Sequence, residues 1–281
     1  MSEHGTNHIK ANQKFHGGEP MNTRLSLSVC IITLDEERNL PRCLRSVDGL
    51  ANEIVVVDSG SRDRTRQIAA AAGARVVEQA FLGHVKQKQT ALDLASETWV
   101  LSLDADEWLD EGLRSEIADT LTSSPPEEIA GYEVNRQPYY LGRWIHHSGW
   151  YPEWKIRLVR REHAHWAGFD PHDRLEVRGA VRRLSGRLRH FPHVDLSDHA
   201  ATINRYTDII TGHWRPTGIL RAIAGIVLEP PLVFLQKYIL QGGFRDGVQG
   251  FIISAMTSFY FFLRYAKLWE REHGGGAPAE D

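Results

Sequence analysis

Cysteine is scarce in this chain: Cys30 and Cys43 are the only two among 281 residues. Both fall in apolar segments, so they read as buried free thiols in a reducing compartment, not as a disulfide framework. Charge of one sign is lacking too. The formal net charge of −3 gives no reason to expect a nucleic-acid partner. No Gly-x-Gly-x-x-Gly turn follows the first apolar run. Thr33-Leu34-Asp35-Glu36-Glu37 stands there instead, which argues against a nicotinamide-binding enzyme. No Gly-x-x-x-x-Gly-Lys-Ser/Thr occurs, which argues against a P-loop ATPase. Residues 1–24 carry no apolar run of the signal-peptide kind and read as a disordered extension, with Met21 as an alternative start. No internal repeat or low-complexity tract is evident outside the tails.

What is present is an alternation of strands and helices. Leu27 to Ile32 is an apolar run of strand length, followed by Asp35 as a helix cap and by Leu40, Leu44 and Val47 at helical spacing. Ile54 to Val57 is a second buried strand, ending in Asp58-Ser59-Gly60-Ser61. A helix through Thr65, Ile68 and Ala69 follows and stops at Gly73. Arg75-Val76-Val77 is a third strand, residues 86–95 a helix, and Trp99 to Leu103 a fourth strand. This order predicts a parallel sheet covered on both faces, with ligands beyond the carboxyl ends of the strands. Thr33, Asp35, Asp58, Asp104 and Asp106 cluster at those ends.

Two aspartates at i and i+2 after an apolar strand, Asp104 and Asp106, can share one Mg²⁺ or Mn²⁺ through hard oxygen ligands. Such an ion can bridge a diphosphate. A helix-capping turn is the plainer alternative. Asp58 can accept hydrogen bonds from a base or a ribose hydroxyl, and Lys88 can balance phosphate charge. Capping and solvation are the respective alternatives.

After Pro125-Pro126 the pattern changes. Gly131 to Asn135 reads as a strand. Residues 138–175, rich in Trp, Tyr, His and Arg, read as a loop-rich binding region. Arg182, Arg183, Arg187 and Arg189 form either a solvated face or a clamp for anionic partners. Trp150 and Trp154 either stack on sugar rings or belong to the core. His146 and His147 have no partners at zinc-ligand spacing. Ser197 can cap a helix through Ile203 and Tyr206. Residues 219–240 and 248–263 are the most apolar of the chain, yet neither is a clean span. The first is broken by Glu229-Pro230-Pro231, and the second is short and ends at Arg264 and Lys267. Helices lying on a membrane surface are the expectation, with buried terminal helices as the alternative.

Three segments together carry a resemblance: Val29 to Glu37, Glu53 to Ser61 and Leu101 to Glu107. In this order they resemble the nucleotide-binding half of family 2 glycosyltransferases, which have the GT-A fold. Many members carry Asn where Asp35 stands; Glu36 matches. Further on, Gly149 to Leu158, Pro171 to Val177, Gly243 to Gly247 and Leu263 to Leu268 resemble the subgroup that adds glucose to the heptose of the lipopolysaccharide inner core.

The resemblance implies a mixed, mostly parallel α/β sheet with helices on both faces over 25–195. It also implies a helical, membrane-facing region over 196–270, before a polar tail at 271–281. It implies inverting transfer from a UDP-sugar, with Mg²⁺ or Mn²⁺ as cofactor. Nucleotide-sugar contacts would come from Thr33, Glu36, Asp58, Lys88 and Asp104, and metal ligands from Asp106 and Asp104. The base would be Asp173 after His172, with Asp170 as a rival, and acceptor contacts would come from Trp150 and Trp154. The acceptor would be a lipopolysaccharide-core glycolipid, at the inner face of the cytoplasmic membrane. A transferase for another surface polysaccharide or glycolipid, and a non-catalytic glycan-binding protein, remain alternatives.

Overall fold

The computed structural model describes residues 25–170, 172–213 and 218–273. The extension expected at 1–24 and the tail from 274 onward lie outside the described residues, as does Pro171. The chain begins with β1 (Leu27–Thr33), α1 (Leu40–Val47), β2 (Glu53–Asp58), α2 (Thr65–Ala71), β3 (Arg75–Glu78), α3 (His84–Leu94) and β4 (Trp99–Asp104). The four strands run parallel in the order β3-β2-β1-β4. Alternate side chains of β1 enter two different cores. Val29 and Ile31 pack with Leu40, Leu101 and Leu103, while Cys30 packs with Val55, Val57 and Val100. Burial on both faces is why these strands read as continuous apolar runs. Cys30 and Cys43 are buried and free, and burial raises both thiols far above the ordinary cysteine range.

The chain continues through β5 (Glu107–Leu109), α4 (Glu111–Thr122), β6 (Ile129–Tyr140), β7 (Arg143–Trp144) and β8 (Glu153–Arg160). Then come β9 (Ala164–Phe169), β10 (His172–Val177) and β11 (Ala180–His190). Beyond β4 the sheet extends as β8-β6-β11-β5, and β9 and β10 form a separate antiparallel pair. β8 is antiparallel to both β4 and β6, whereas β6 and β11 are parallel, so the sheet is mixed. Residues 138–175 are therefore not the loop-rich cover expected, because they hold a central strand and a hairpin. The alternation in β8 is masked by Glu153, Lys155 and Arg157, charges that serve the site. The basic stretch lies on β11, where Leu184 and Leu188 are buried and Arg182, Arg183 and Arg187 exposed.

Helices close the remaining side: α5 (Leu196–His213), α6 (Ile219–Val227), α7 (Glu229–Leu235) and α8 (Gly247–His273), with a π turn at Gln236–Leu240. Asp195, not Ser197, caps α5, accepting from the Asp198 amide at 2.8 Å. Ile253 of α8 is buried against Tyr140 and Ile145, which ties the helices to the sheet. Asp246, also buried, accepts from the amides of His146 and His147. Leu220–Leu240 is long and apolar enough to cross a membrane by length and composition, yet only 6% of it is buried.

Candidate active site

Strand register gathers the acidic groups. Thr33 lies opposite Asp58, and Ile32 opposite Asp104, so three strand ends share one rim. Above it lies a cavity of about 1710 Å³. Of the residues singled out from sequence, Thr33, Glu36, Lys88, Asp104, Asp106, Trp150, Trp154, Asp170 and Asp173 line it. Asp58 does not. It is fully buried, accepting from the Thr33 hydroxyl at 2.8 Å, the Ser61 hydroxyl at 2.5 Å and the Ser61 amide at 2.8 Å. In this structure Asp58 organises the turn after β2, and its neighbour Ser59 reaches the cavity. Both Asp58 oxygens are engaged in that turn.

Asp35 adopts φ 55°, in the left-handed region. Asparagine and aspartate are the non-glycine residues that tolerate that region best, so the position selects a backbone shape that both residues supply. Its Oδ1 accepts from the Arg62 amide at 2.7 Å, and its amide donates to Ser61 at 2.9 Å. The loops after β1 and β2 are thereby fastened together.

Lys88 is the hub. Its Nζ lies 2.8 Å from Asp104 Oδ1 and 2.9 Å from Asp173 Oδ2, and 4.9 Å from the centre of the Trp166 ring. Burial alone would lower its pKa, but Asp104 and Asp173 raise it against the opposing Arg157. Burial likewise opposes ionisation of Asp104, yet Lys88 and Arg157 hold it well below the usual carboxylate range. Arg157 Nη2 bridges Asp104 at 2.9 Å and fully buried Glu107 at 2.6 Å. Arg136 continues the network, from Glu107 at 3.1 Å to Glu153 at 2.8 Å. Arg136 and Lys155 overcome burial and hold Glu153 at about 2. Sequence reasoning placed Glu107 in the acidic cluster expected to hold the metal, whereas it is fully buried here between Arg157 and Arg136; it assigned no role to Arg136, Glu153 or Arg157. The signal available was charged residues inside strands.

β5 pairs with the end of β11, and this brings His190 Nε2 within 3.2 Å of Asp106 Oδ2. Asp170 sits at the start of α3, where the His84 amide donates to its two oxygens at 2.9 and 3.1 Å. Trp150 packs edge-on against Tyr140 and lies beside His193 and His199. Burial lowers His199 to about 4. Trp154 lies 4.5 Å below the Arg183 guanidinium.

Among the described residues no three His, Cys, Asp or Glu are grouped so as to hold a metal ion. The donor chemistry nevertheless fits a hard divalent cation that takes its other ligands from a diphosphate and water. Asp106 and Asp104 supply the carboxylates, with the His190 nitrogen beside Asp106. Excess negative charge at this wall registers on Glu36. Burial, with Asp106, Asp104 and Asp63, pushes it up to about 7 against a hydrogen bond from Asn39. A folded-state pKa above the unfolded value stabilises the fold fully below the unfolded pKa, near 4.5, and this contribution fades as pH rises through 7. Glu36→Gln removes that dependence. Between pH 5 and pH 8 the unfolding free energy from urea titrations is expected to fall less for the variant than for the parent, by roughly 2 kcal/mol.

Residues 28–184 match the family model described as glycosyl transferase family 2. The lipopolysaccharide core biosynthesis glycosyltransferase LpsC of Rhizobium meliloti (strain 1021) is 32% identical over 270 residues, covering 92% of this chain and 97% of that protein. The uncharacterized glycosyltransferase RT0209 of Rickettsia typhi is 28% identical over 253 residues, covering 87% of each. Among solved structures, glucosyl-3-phosphoglycerate synthase from Mycobacterium tuberculosis, in complex with Mn²⁺, UDP and glucosyl-3-phosphoglycerate, overlaps 44% of this chain and 50% of its own. Its TM-score is 0.34 and its identity 23%. The family match covers more than half of the chain, and the Rhizobium relative aligns over almost all of it, so the chain belongs to glycosyl transferase family 2.

Proposed function

We propose that this enzyme moves glucose from UDP-glucose onto a heptose of the lipopolysaccharide inner core, with inversion, at the inner face of the cytoplasmic membrane. The observation that carries the chemistry is the bridge Asp104–Lys88–Asp173 inside the cavity. On this reading Asp104 serves the donor side and Asp173 the acceptor side, with one ammonium between them. The acceptor class draws its support from the name of the Rhizobium relative.

A divalent cation bound at Asp106 and Asp104 would offset charge on the leaving nucleoside diphosphate. Thr33 and Glu36 line the donor end, and Asp58 shapes it from below through the turn carrying Ser59. Lys88 turns from Asp173 toward the phosphates as the donor enters, because a diphosphate competes for the same charge. That frees Asp173 to take the proton from the acceptor hydroxyl as the hydroxyl oxygen attacks the anomeric carbon. Trp150 and Trp154 offer ring faces to the acceptor sugars.

The test is donor hydrolysis by the purified protein across a panel of nucleotide sugars, with and without Mn²⁺ or Mg²⁺. Metal-dependent hydrolysis of UDP-glucose is expected. If no donor interacts at millimolar concentration, the reading gives way to a glycan-binding protein.

A further inference from the structure

The helices after α5 leave a large apolar surface uncovered. Leu220 and Leu240 are each 81% exposed and Val248 71%. Val227, Leu228 and Leu232 are exposed between them. Single exposed leucines need no explanation, but a run of this length on adjacent helices does.

Charge identifies the occupant. Arg221 stands beside Leu220, and Arg245 beside Phe244; both are exposed and form no ion pair among the described residues. Arg143, also exposed, donates to the Arg245 carbonyl at 3.3 Å, so a second cation sits at that corner. The carboxylates of the same region are already paired or buried. Glu229 is taken by Tyr265 at 2.6 Å and Arg264 at 3.2 Å, and Asp246 is buried. Apolar side chains with unanswered cations at the rim match an anionic lipid surface. A second copy of the chain would bring only more of the same cations.

Packing decides the orientation. α6 and α7 lie against α8, and α8 is anchored to the sheet through Ile253. The apolar run is interrupted at Leu228, just before Glu229-Pro230-Pro231, and both halves pack along α8, an arrangement that suits lying in the plane of a bilayer. α8 also faces the other way: Met256, Thr257 and Tyr260 line the catalytic cavity, while Phe251 and Phe259 are exposed.

We infer that α6, α7 and the first half of α8 form an in-plane docking face for an anionic bilayer. Docking there sets the α5–α8 wall of the cavity at the lipid surface, where a membrane-anchored acceptor presents its sugars. This second clause rests on the glycolipid acceptor proposed above; the docking face does not.

Flotation with phosphatidylcholine vesicles, with and without phosphatidylglycerol, tests it on the full chain. The parent should float with the anionic vesicles and much less with the neutral ones. Arg221→Ala with Arg245→Ala should weaken partition about thirtyfold. Leu220→Glu, Leu232→Glu and Leu240→Glu together should abolish flotation while leaving UDP-glucose hydrolysis in solution unchanged, which also checks that this variant folds. Flotation of the triple variant like the parent would overturn the inference. So would a soluble parent dimer that the triple variant converts to monomer. Absence of hydrolysis in every protein, with flotation behaving as expected, would sink the catalytic reading and leave the docking face standing.

Discussion

Asp106→Ala is expected to abolish sugar transfer while leaving the fold intact. The side chain sits on the cavity wall between β4 and β5, and its one ion pair among the described residues is with His190 at 3.2 Å. The bond that fixes the local backbone is different: the Asp106 carbonyl accepts from the Phe191 amide at 3.0 Å, and alanine keeps it. Little stability therefore depends on the carboxylate. In the proposed metal role catalysis would depend on it heavily, because a divalent cation is worth several kcal/mol of charge stabilisation on a leaving diphosphate. At about 1.4 kcal/mol per tenfold in rate, the loss is on the order of a thousandfold or more. Initial rates over a Mn²⁺ series, with a thermal melt as control, measure both. Near-normal turnover with an unchanged metal response would refute the role of Asp106.

Asp173→Asn is expected to slow transfer by about 10²–10⁴-fold, the range for removing a general base. Donor binding should persist. Asparagine has the same shape, and its carbonyl oxygen can still accept from Lys88. Asp170 is the competing base, but its two oxygens receive the His84 amide at the start of α3. Its carboxylate also fills the space beside Gly83, so it serves as a cap. Asp170→Asn should therefore lower stability and affect transfer less. Calorimetric UDP-glucose binding and single-turnover transfer on both variants separate the two. If Asp170→Asn shows the larger loss of rate at unchanged stability, the assignment is reversed.

The two predictions differ in how far the sequence supports them. Asp106 stands out in the linear pattern, since an acidic pair directly after Val100 to Leu103 falls where a parallel sheet places its ligands. Asp173 carries no such local signal. It came from resemblance, and the contact that gives it meaning, with Lys88, joins β10 to α3 across the cavity.

The sequence by itself determined the first four strands, their helices and the rim where Thr33, Asp104 and Asp106 meet. Strands buried on both faces need unbroken apolar runs, and such runs are visible along the chain. Tertiary structure alone decided the rest of the site. Arg157, Arg136 and Glu153 look like ordinary surface charges one at a time, and Glu107 like one more member of the acidic cluster. They become a buried network only when β8 and β6 enter the sheet beside β4. His190 reaches Asp106 only because β5 pairs with the end of β11. Asp58, read from the sequence as a nucleoside contact, is fully buried, with the Ser61 amide and hydroxyl and the Thr33 hydroxyl on its oxygens. Long-range pairing and the filling of hydrogen-bonding capacity are properties of the folded chain, and a linear pattern does not record them.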